Sequence, residues 1–322
     1  MLSFGRYPTP VRLLAELSLP STALWIKHDD LASPVYGGNK VRKLDRLLED
    51  ALARRAERVV TIGALGSHHV LATGIFGKSL GLDVAAVVLR QKATAHVLDN
   101  VRADLAQGIE LIPATSYAQA AVLLAARVAS GAYYIPVGGS NRVGTLGFVL
   151  AASELAEQVR RGELPEPDLI VVPLGSGGTV AGLLAGLAQE KLRTRVLGVT
   201  VVEPAAVLER AARALAKQCV TRELRRSVLE RLEITRSYLG RGYGYASPEG
   251  ERATAQAATV GVTLDATYTS KAFAAALDRV ARGRERNILY WHTLSSAPME
   301  PLLVGAPEES ALSAKLRALA VP

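Results

Sequence analysis

Short β-branched runs alternate with stretches of helical periodicity along almost the whole chain, and no other feature limits the possible folds as much. Strands are predicted over residues 58–62, 84–89, 109–112, 133–137, 169–172, 196–202 and 287–291. Helices are predicted from about residue 69, and over 95–106, 117–129, 146–160, 204–216, 249–259 and 270–281. Strand, helix, strand in series is the βαβ unit, so the expected class is α/β with doubly wound parallel sheets. The 322 residues, 49% of them hydrophobic, suffice for two packed lobes or one large α/β domain.

Two segments carry the chemistry. In Gly37-Gly38-Asn39-Lys40-Val41-Arg42-Lys43-Leu44 a glycine pair ends a loop and a helix follows. Leu44, Leu47, Leu48 and Leu52 form its apolar stripe, with Arg42, Lys43, Asp45, Arg46, Glu49 and Asp50 on the other face. Lys40 then sits in the first turn, where the positive end of the helix dipole disfavours an ammonium and burial lowers its pKa further. A Schiff-base lysine needs such a lowered pKa, although this segment alone is equally compatible with a solvated lysine. The second segment runs from Asp168 through Gly175-Ser176-Gly177-Gly178-Thr179 to Leu184 and reads as strand, glycine loop, helix. Its amides and the Ser176 and Thr179 hydroxyls can turn toward one anion at a helix N-terminus, and phosphate is the natural occupant.

Other phosphate motifs match less well. A dinucleotide fingerprint needs a third glycine where Val180 stands, although Glu203, ending the next strand, keeps a nucleotide-dependent oxidoreductase open. Gly77-Lys78-Ser79 ends like a P-loop, but Ala72 replaces its first glycine. The single cysteine, Cys219, excludes an internal disulfide or a thiolate cluster, and His28, His68, His69, His96 and His292 form no H-E-x-x-H, so no metal site is expected. The net charge of +8 comes with only 5% aromatic residues, which argues against nucleic acid and for solvated basic faces. No apolar run reaches membrane-spanning length, and the first 19 residues carry Arg6, Pro8, Pro10, Arg12 and Glu16 in place of a signal-peptide core. A cytoplasmic protein without membrane contact is expected.

Seven motifs together resemble one family. In order they are the Gly37–Leu44 motif, Gly63-Ala-Leu-Gly-Ser67-His68-His69, Ile135-Pro-Val-Gly-Gly-Ser-Asn141, Gly175-Ser-Gly-Gly-Thr179, Gly242-Tyr243-Gly244, Tyr268-Thr269-Ser270-Lys271 and His292-Thr293. Their order resembles that of the D-cysteine desulfhydrase and 1-aminocyclopropane-1-carboxylate deaminase family. These are pyridoxal-phosphate enzymes of the tryptophan-synthase β-like fold (fold type II). The resemblance implies a large cofactor domain, residues 1–48 and 150–322, interrupted by a smaller α/β domain, 49–149. It also implies an active site between the two and a homodimer.

By the same resemblance Lys40 carries the cofactor and moves the substrate α-proton, and the 175–179 loop holds the phosphate. Asn39, His68, Thr269 and Thr293 are the further cofactor contacts implied. Ser67 matches a serine near the substrate carboxylate, with His69 two positions on; from the residues alone Ser67 reads equally as a helix N-cap. Tyr243 and Tyr268 match tyrosines that flank the substrate and exchange protons. Either also reads as an amphipathic core tyrosine. Ring-opening deaminases of the family have glutamate at the position of Thr269, so the chain resembles the desulfhydrase branch. That branch removes the α-proton, expels a β-substituent and releases an aminoacrylate that hydrolyses to a keto acid and ammonia.

Two departures bear on the substrate. Gly66-Ser67-His68 stands where the family has Gln-Ser-Asn, and Leu294-Ser295-Ser296 follows His292-Thr293 where Gly-Gly is usual. Ring opening, β-replacement, racemisation and a cofactor-binding protein without turnover are therefore the alternatives to elimination.

Overall fold

The computed structural model describes residues 2–321. The chain begins with β1 (Val11–Leu13), β2 (Ala23–His28) and α1 (Asn39–Ala53). There follow β3 (Arg58–Ala64), α2 (His68–Ser79), β4 (Asp83–Leu89), β5 (Gln91–Lys92), α3 (Ala95–Ala106), β6 (Glu110–Pro113), α4 (Tyr117–Ala129) and β7 (Tyr133–Ile135). Next come α5 (Arg142–Arg160), β8 (Leu169–Leu174), α6 (Gly178–Gln189), β9 (Arg195–Thr200), α7 (Ala205–Gln218), α8 (Arg225–Glu230) and β10 (Leu232–Thr235). The last elements are α9 (Pro248–Ala258), α10 (Thr269–Arg282), β11 (Asn287–His292), α11 (Ala314–Arg317) and β12 (Ala320–Val321).

These elements form two compact units, one of Gly5–Lys43 and Ser140–Ser296, the other of Met1–Phe4, Leu44–Gly139 and Ala297–Pro322. The larger unit holds a six-stranded sheet in the order β1-β2-β11-β8-β9-β10. Every pairing is parallel except β1 with β2. β8 shows why its sequence is apolar at every position. Ile170, Val172 and Leu174 pack with Leu155, Leu183 and Leu187 from α5 and α6 on one face, while Leu169 and Val171 pack with Phe273 and Ala276 of α10 on the other. Full burial of each such side chain contributes about 1.5–3 kcal/mol.

The smaller unit has the parallel sheet β6-β4-β3-β7. Val84, Ala86 and Val88 of β4 face one core cluster with Val70 and Val101, and Val87 faces another with Ile62 and Ala120. Residues 297–322, grouped from the sequence with the large domain, belong to this unit. Leu312, Leu316 and Leu319 complete its core, β12 pairs with β5, and Arg102 Nε donates to Pro307 O (2.9 Å). The predicted helices and strands recur with ends shifted by a few residues, but β1, β2, β5, β10, β12, α8 and α11 are additional. β2 escaped a periodicity reading because Lys27 interrupts it; the lysine is fully buried in an ion pair with Glu154 of α5.

Candidate active site

Asn39 and Lys40 open α1, and the preceding turn is fastened by Gly38 N, which donates to Asp29 O (2.7 Å). Arg42, one turn on, grips Asp29 through Nε to Oδ2 (2.9 Å) and Nη2 to Oδ1 (2.8 Å), and reaches Glu154 Oε2 through Nη1 (2.8 Å). Trp291 Nε1 adds a donor to Asp29 Oδ2 (2.7 Å). Burial raises the Glu154 carboxyl, but Arg42 and then Lys27 outweigh it and hold the pKa at about 2. The charges thus stay paired and fix the first turn of α1. The polar face of this helix is itself partly enclosed: Arg42, Lys43 and Asp45 are all buried.

Lys40 Nζ donates to Asn39 Oδ1 (2.7 Å), and Asn39 Nδ2 donates to Thr179 Oγ1 (3.1 Å). One asparagine therefore spans the Lys40 amine and the glycine loop. Loss of hydration lowers the Lys40 pKa to about 8, against the smaller upward pull of Asp265. Part-buried as it is, the amine lies over the Tyr268 ring at 5.9 Å from the centroid.

The 175–179 loop turns β8 into α6 at the C-terminal end of the sheet, with Gly177 left-handed at the helix N-cap. Ser140 Oγ sits at this helix end, accepting from Gly178 N (3.1 Å) and Lys43 Nζ (3.4 Å), with Ser176 Oγ 2.7 Å away. A Cβ on Gly178 would stand 2.6 Å from Ser140 Oγ and 3.1 Å from Lys43 Nζ, so any larger residue would displace the Ser140 hydroxyl. Burial, then the Lys40 charge, pushes the Lys43 pKa well below its usual value. A dianion beside it would counter both influences. Main-chain amide, three hydroxyls and an ammonium at a helix N-terminus are the donor set a phosphate requires, so these residues fit pyridoxal phosphate.

Tyr243 and Tyr268 meet through their hydroxyls (2.7 Å), with rings edge to face. Burial, then Tyr243, raises the Tyr268 pKa well above its ordinary value, so Tyr268 remains protonated at neutral pH. Thr269 is fully buried. Its Oγ1 donates to Asp265 Oδ2 (2.6 Å) and accepts from Asp265 N (2.6 Å), so a carboxylate backs the hydroxyl. Thr293 contributes its carbonyl, which accepts from Asn39 N (3.2 Å). His292 Nδ1 lies 3.2 Å from Tyr290 Oη, and burial lowers its pKa.

All the residues of the last three paragraphs lie in the larger unit. Ser67, His68 and His69 lie in the smaller one. Ser67 caps α2 by accepting from His69 N (3.2 Å). His68 pairs with His96, Nε2 to Nε2 at 2.9 Å. His69 is buried with its Nε2 2.9 Å from Thr61 Oγ1; that hydroxyl donates to Ile135 O, so Nε2 is the donor between them. Lys43, Ser140 and Asp265 were not singled out from the sequence. Lys43 and Ser140 stood inside quoted motifs, and only proximity to the loop distinguishes them. Among the described residues no group of three or more histidine, cysteine or acidic side chains is arranged to hold a metal ion.

This geometry suits pyridoxal phosphate, and the scaffold is a fold-type II α/β one. The family profile described as "Pyridoxal-phosphate dependent enzyme" matches residues 2–293, and the chain belongs to that family. Among curated relatives, a Pyrococcus furiosus protein with the provisional name 1-aminocyclopropane-1-carboxylate deaminase is 36% identical, covering 89% of each chain. The D-cysteine desulfhydrase of Klebsiella pneumoniae is 35% identical, covering 89% of this chain and 91% of its own. A solved structure of an ACC deaminase homologue superposes with a TM-score of 0.78 at 30% identity, covering 94% of this chain and 95% of that one. Threonine deaminase isoform 2 of Solanum lycopersicum, at 18% identity and a TM-score of 0.64 over 97% of this chain and 83% of that one, shares the fold.

Proposed function

We propose that the chain is a lyase that performs α,β-elimination on a small amino acid with a β leaving group, D-cysteine desulfhydrase-like, yielding a keto acid and ammonia. The observation that carries this reading is the pairing of a lysine amine lowered to about 8 with an asparagine that also reaches the phosphate-type loop. Relatives named for desulfhydration and deamination support it.

When bound, pyridoxal phosphate supplies the electron sink for the α-carbanion. Lys40 Nζ, oriented by Asn39, takes the α-proton. Lys43, Ser140, Ser176, Thr179 and the loop amides hold the phosphate. Tyr268 keeps a proton on its hydroxyl, which is paired with that of Tyr243, available to a departing β-substituent. Thr269, backed by Asp265, and Thr293 are assigned to the cofactor ring. Ser67 and His69 are assigned to the substrate carboxylate, and His68 to the cofactor, on family resemblance.

A homodimer in the cytoplasm is proposed as the working state. The homodimer rests on the family resemblance. No helix among the described residues is long and apolar enough to cross a membrane.

The test is keto-acid release across a panel of D- and L-amino acids that includes 1-aminocyclopropane-1-carboxylate, with Lys40→Ala as control. Elimination is expected from substrates with a β leaving group, together with visible cofactor absorption that borohydride removes and Lys40→Ala lacks. Release from the cyclopropane substrate alone would assign ring opening instead. A protein that stays colourless with added pyridoxal phosphate would refute the reading.

A further inference from the structure

Tyr243 is carried by a segment that has little stiffness of its own. Gly240, Gly242 and Gly244 all adopt positive φ (+59°, +116° and +80°), a region that glycine leaves as readily as it enters. Yet the Tyr243 hydroxyl stands 2.7 Å from that of Tyr268. A restraint from outside the segment comes from α10. Lys271 Nζ donates to Leu239 O and to Gly242 O, each at 2.9 Å, on either side of the turn that delivers Tyr243.

Lys271 is fully buried, a costly place for an ammonium, and loss of hydration lowers its pKa to about 8. Hydrogen bonds to the loop carbonyls account for its being there. The same helix start also fixes the other tyrosine, since the Asp265 carboxylate accepts from Thr267 N (2.8 Å), Tyr268 N (2.7 Å) and Thr269 N (3.1 Å). Both members of the tyrosine pair are thus referred to one rigid element.

We propose that Lys271 is a positioning residue, clamping the 239–242 turn so that the Tyr243 hydroxyl meets Tyr268 in the geometry needed for proton transfer. This rests on the role proposed above for Tyr243. The clamp acts only through that tyrosine, which distinguishes it from a general contribution to folding.

The experiment is a double-mutant cycle on the holoenzyme with Lys271→Met, Tyr243→Phe and their combination. It reads kcat on the best substrate of the amino-acid panel, with cofactor absorption reporting site occupancy. Lys271→Met is expected to lower kcat by about 10²-fold, the scale of an ångström-sized misplacement, with absorption unchanged. In the Tyr243→Phe background it should lower kcat no further. Equal losses in both backgrounds, or none in the native background, would overturn the proposal. Should Tyr243→Phe itself retain full kcat, the assignment of Tyr243 fails; should it lose kcat while Lys271→Met does not, only the clamp fails. If Lys271→Met is not recovered folded, Lys271→Gln, which keeps a shorter donor, should show a smaller loss with the same dependence on Tyr243. Equal losses for Lys271→Gln in both backgrounds, or no loss, would overturn the proposal.

Discussion

Asp104 of α3 is fully buried, and neither carboxyl oxygen has a hydrogen-bond partner among the described residues. Burial drives its pKa well above the ordinary 3.8. At pH 3 the carboxyl is protonated in both folded and unfolded chains, so its ionisation does not bear on stability. Above 3.8 the unfolded chain ionises while the native chain holds its proton, and folding must take up a proton. Stability then falls by about 1.4 kcal/mol for each pH unit until the native carboxyl ionises too. Asp104→Asn keeps the shape and removes the titration. It should therefore match the native protein near pH 4 and exceed it progressively toward pH 7, by about 2 °C in melting temperature for each kcal/mol gained. Calorimetric unfolding of both cofactor-saturated proteins at pH 4, 5, 6 and 7 makes the comparison. A difference that does not change with pH, or an asparagine variant that melts lower at pH 7, would refute the reasoning.

Lys43→Gln should weaken pyridoxal-phosphate binding by roughly 10- to 100-fold, the loss of a charge-assisted contact, measured by cofactor titration of the apoprotein; unchanged affinity would remove Lys43 from the phosphate site. Arg42→Met leaves Asp29 in the interior without a cationic partner, while Glu154 keeps Lys27, and should lower unfolding free energy by about 3–5 kcal/mol, read by denaturant unfolding. The rate at which apoprotein captures the cofactor aldehyde should climb with pH through about 8, as Lys40 loses its proton, and level off above it. A rise continuing to the ordinary lysine range, near 10.5, would show that the amine is hydrated.

Periodicity revealed most of the elements because each answers a local rule. β8 is apolar throughout because both of its faces are covered, and α10 repeats its stripe against β8 and β11. β2 was illegible because Lys27 looks like a solvent residue until Glu154, 127 positions away, neutralises it. For the same reason the enclosure of Arg42 by Asp29 and Glu154, 13 and 112 positions away, could not be read from the first turn of α1. The last 26 residues, 297–322, offered no rule at all. Their few leucines acquire meaning only against the core of the smaller unit.

Order along the chain determined the α/β class, the family and the two chemical landmarks, Lys40 and the 175–179 loop, since glycine placement and helix starts are written in neighbouring residues. Tertiary structure alone decided that Asn39 joins those landmarks, that Lys43 and Ser140 stand at the loop, that Asp265 backs Thr269 and that Lys271 holds the turn before Tyr243. All but the Asp265–Thr269 contact, which spans four positions, are electrostatic or hydrogen-bonding matches between groups distant in sequence, and such matches exist only once burial has removed the water that would otherwise satisfy them.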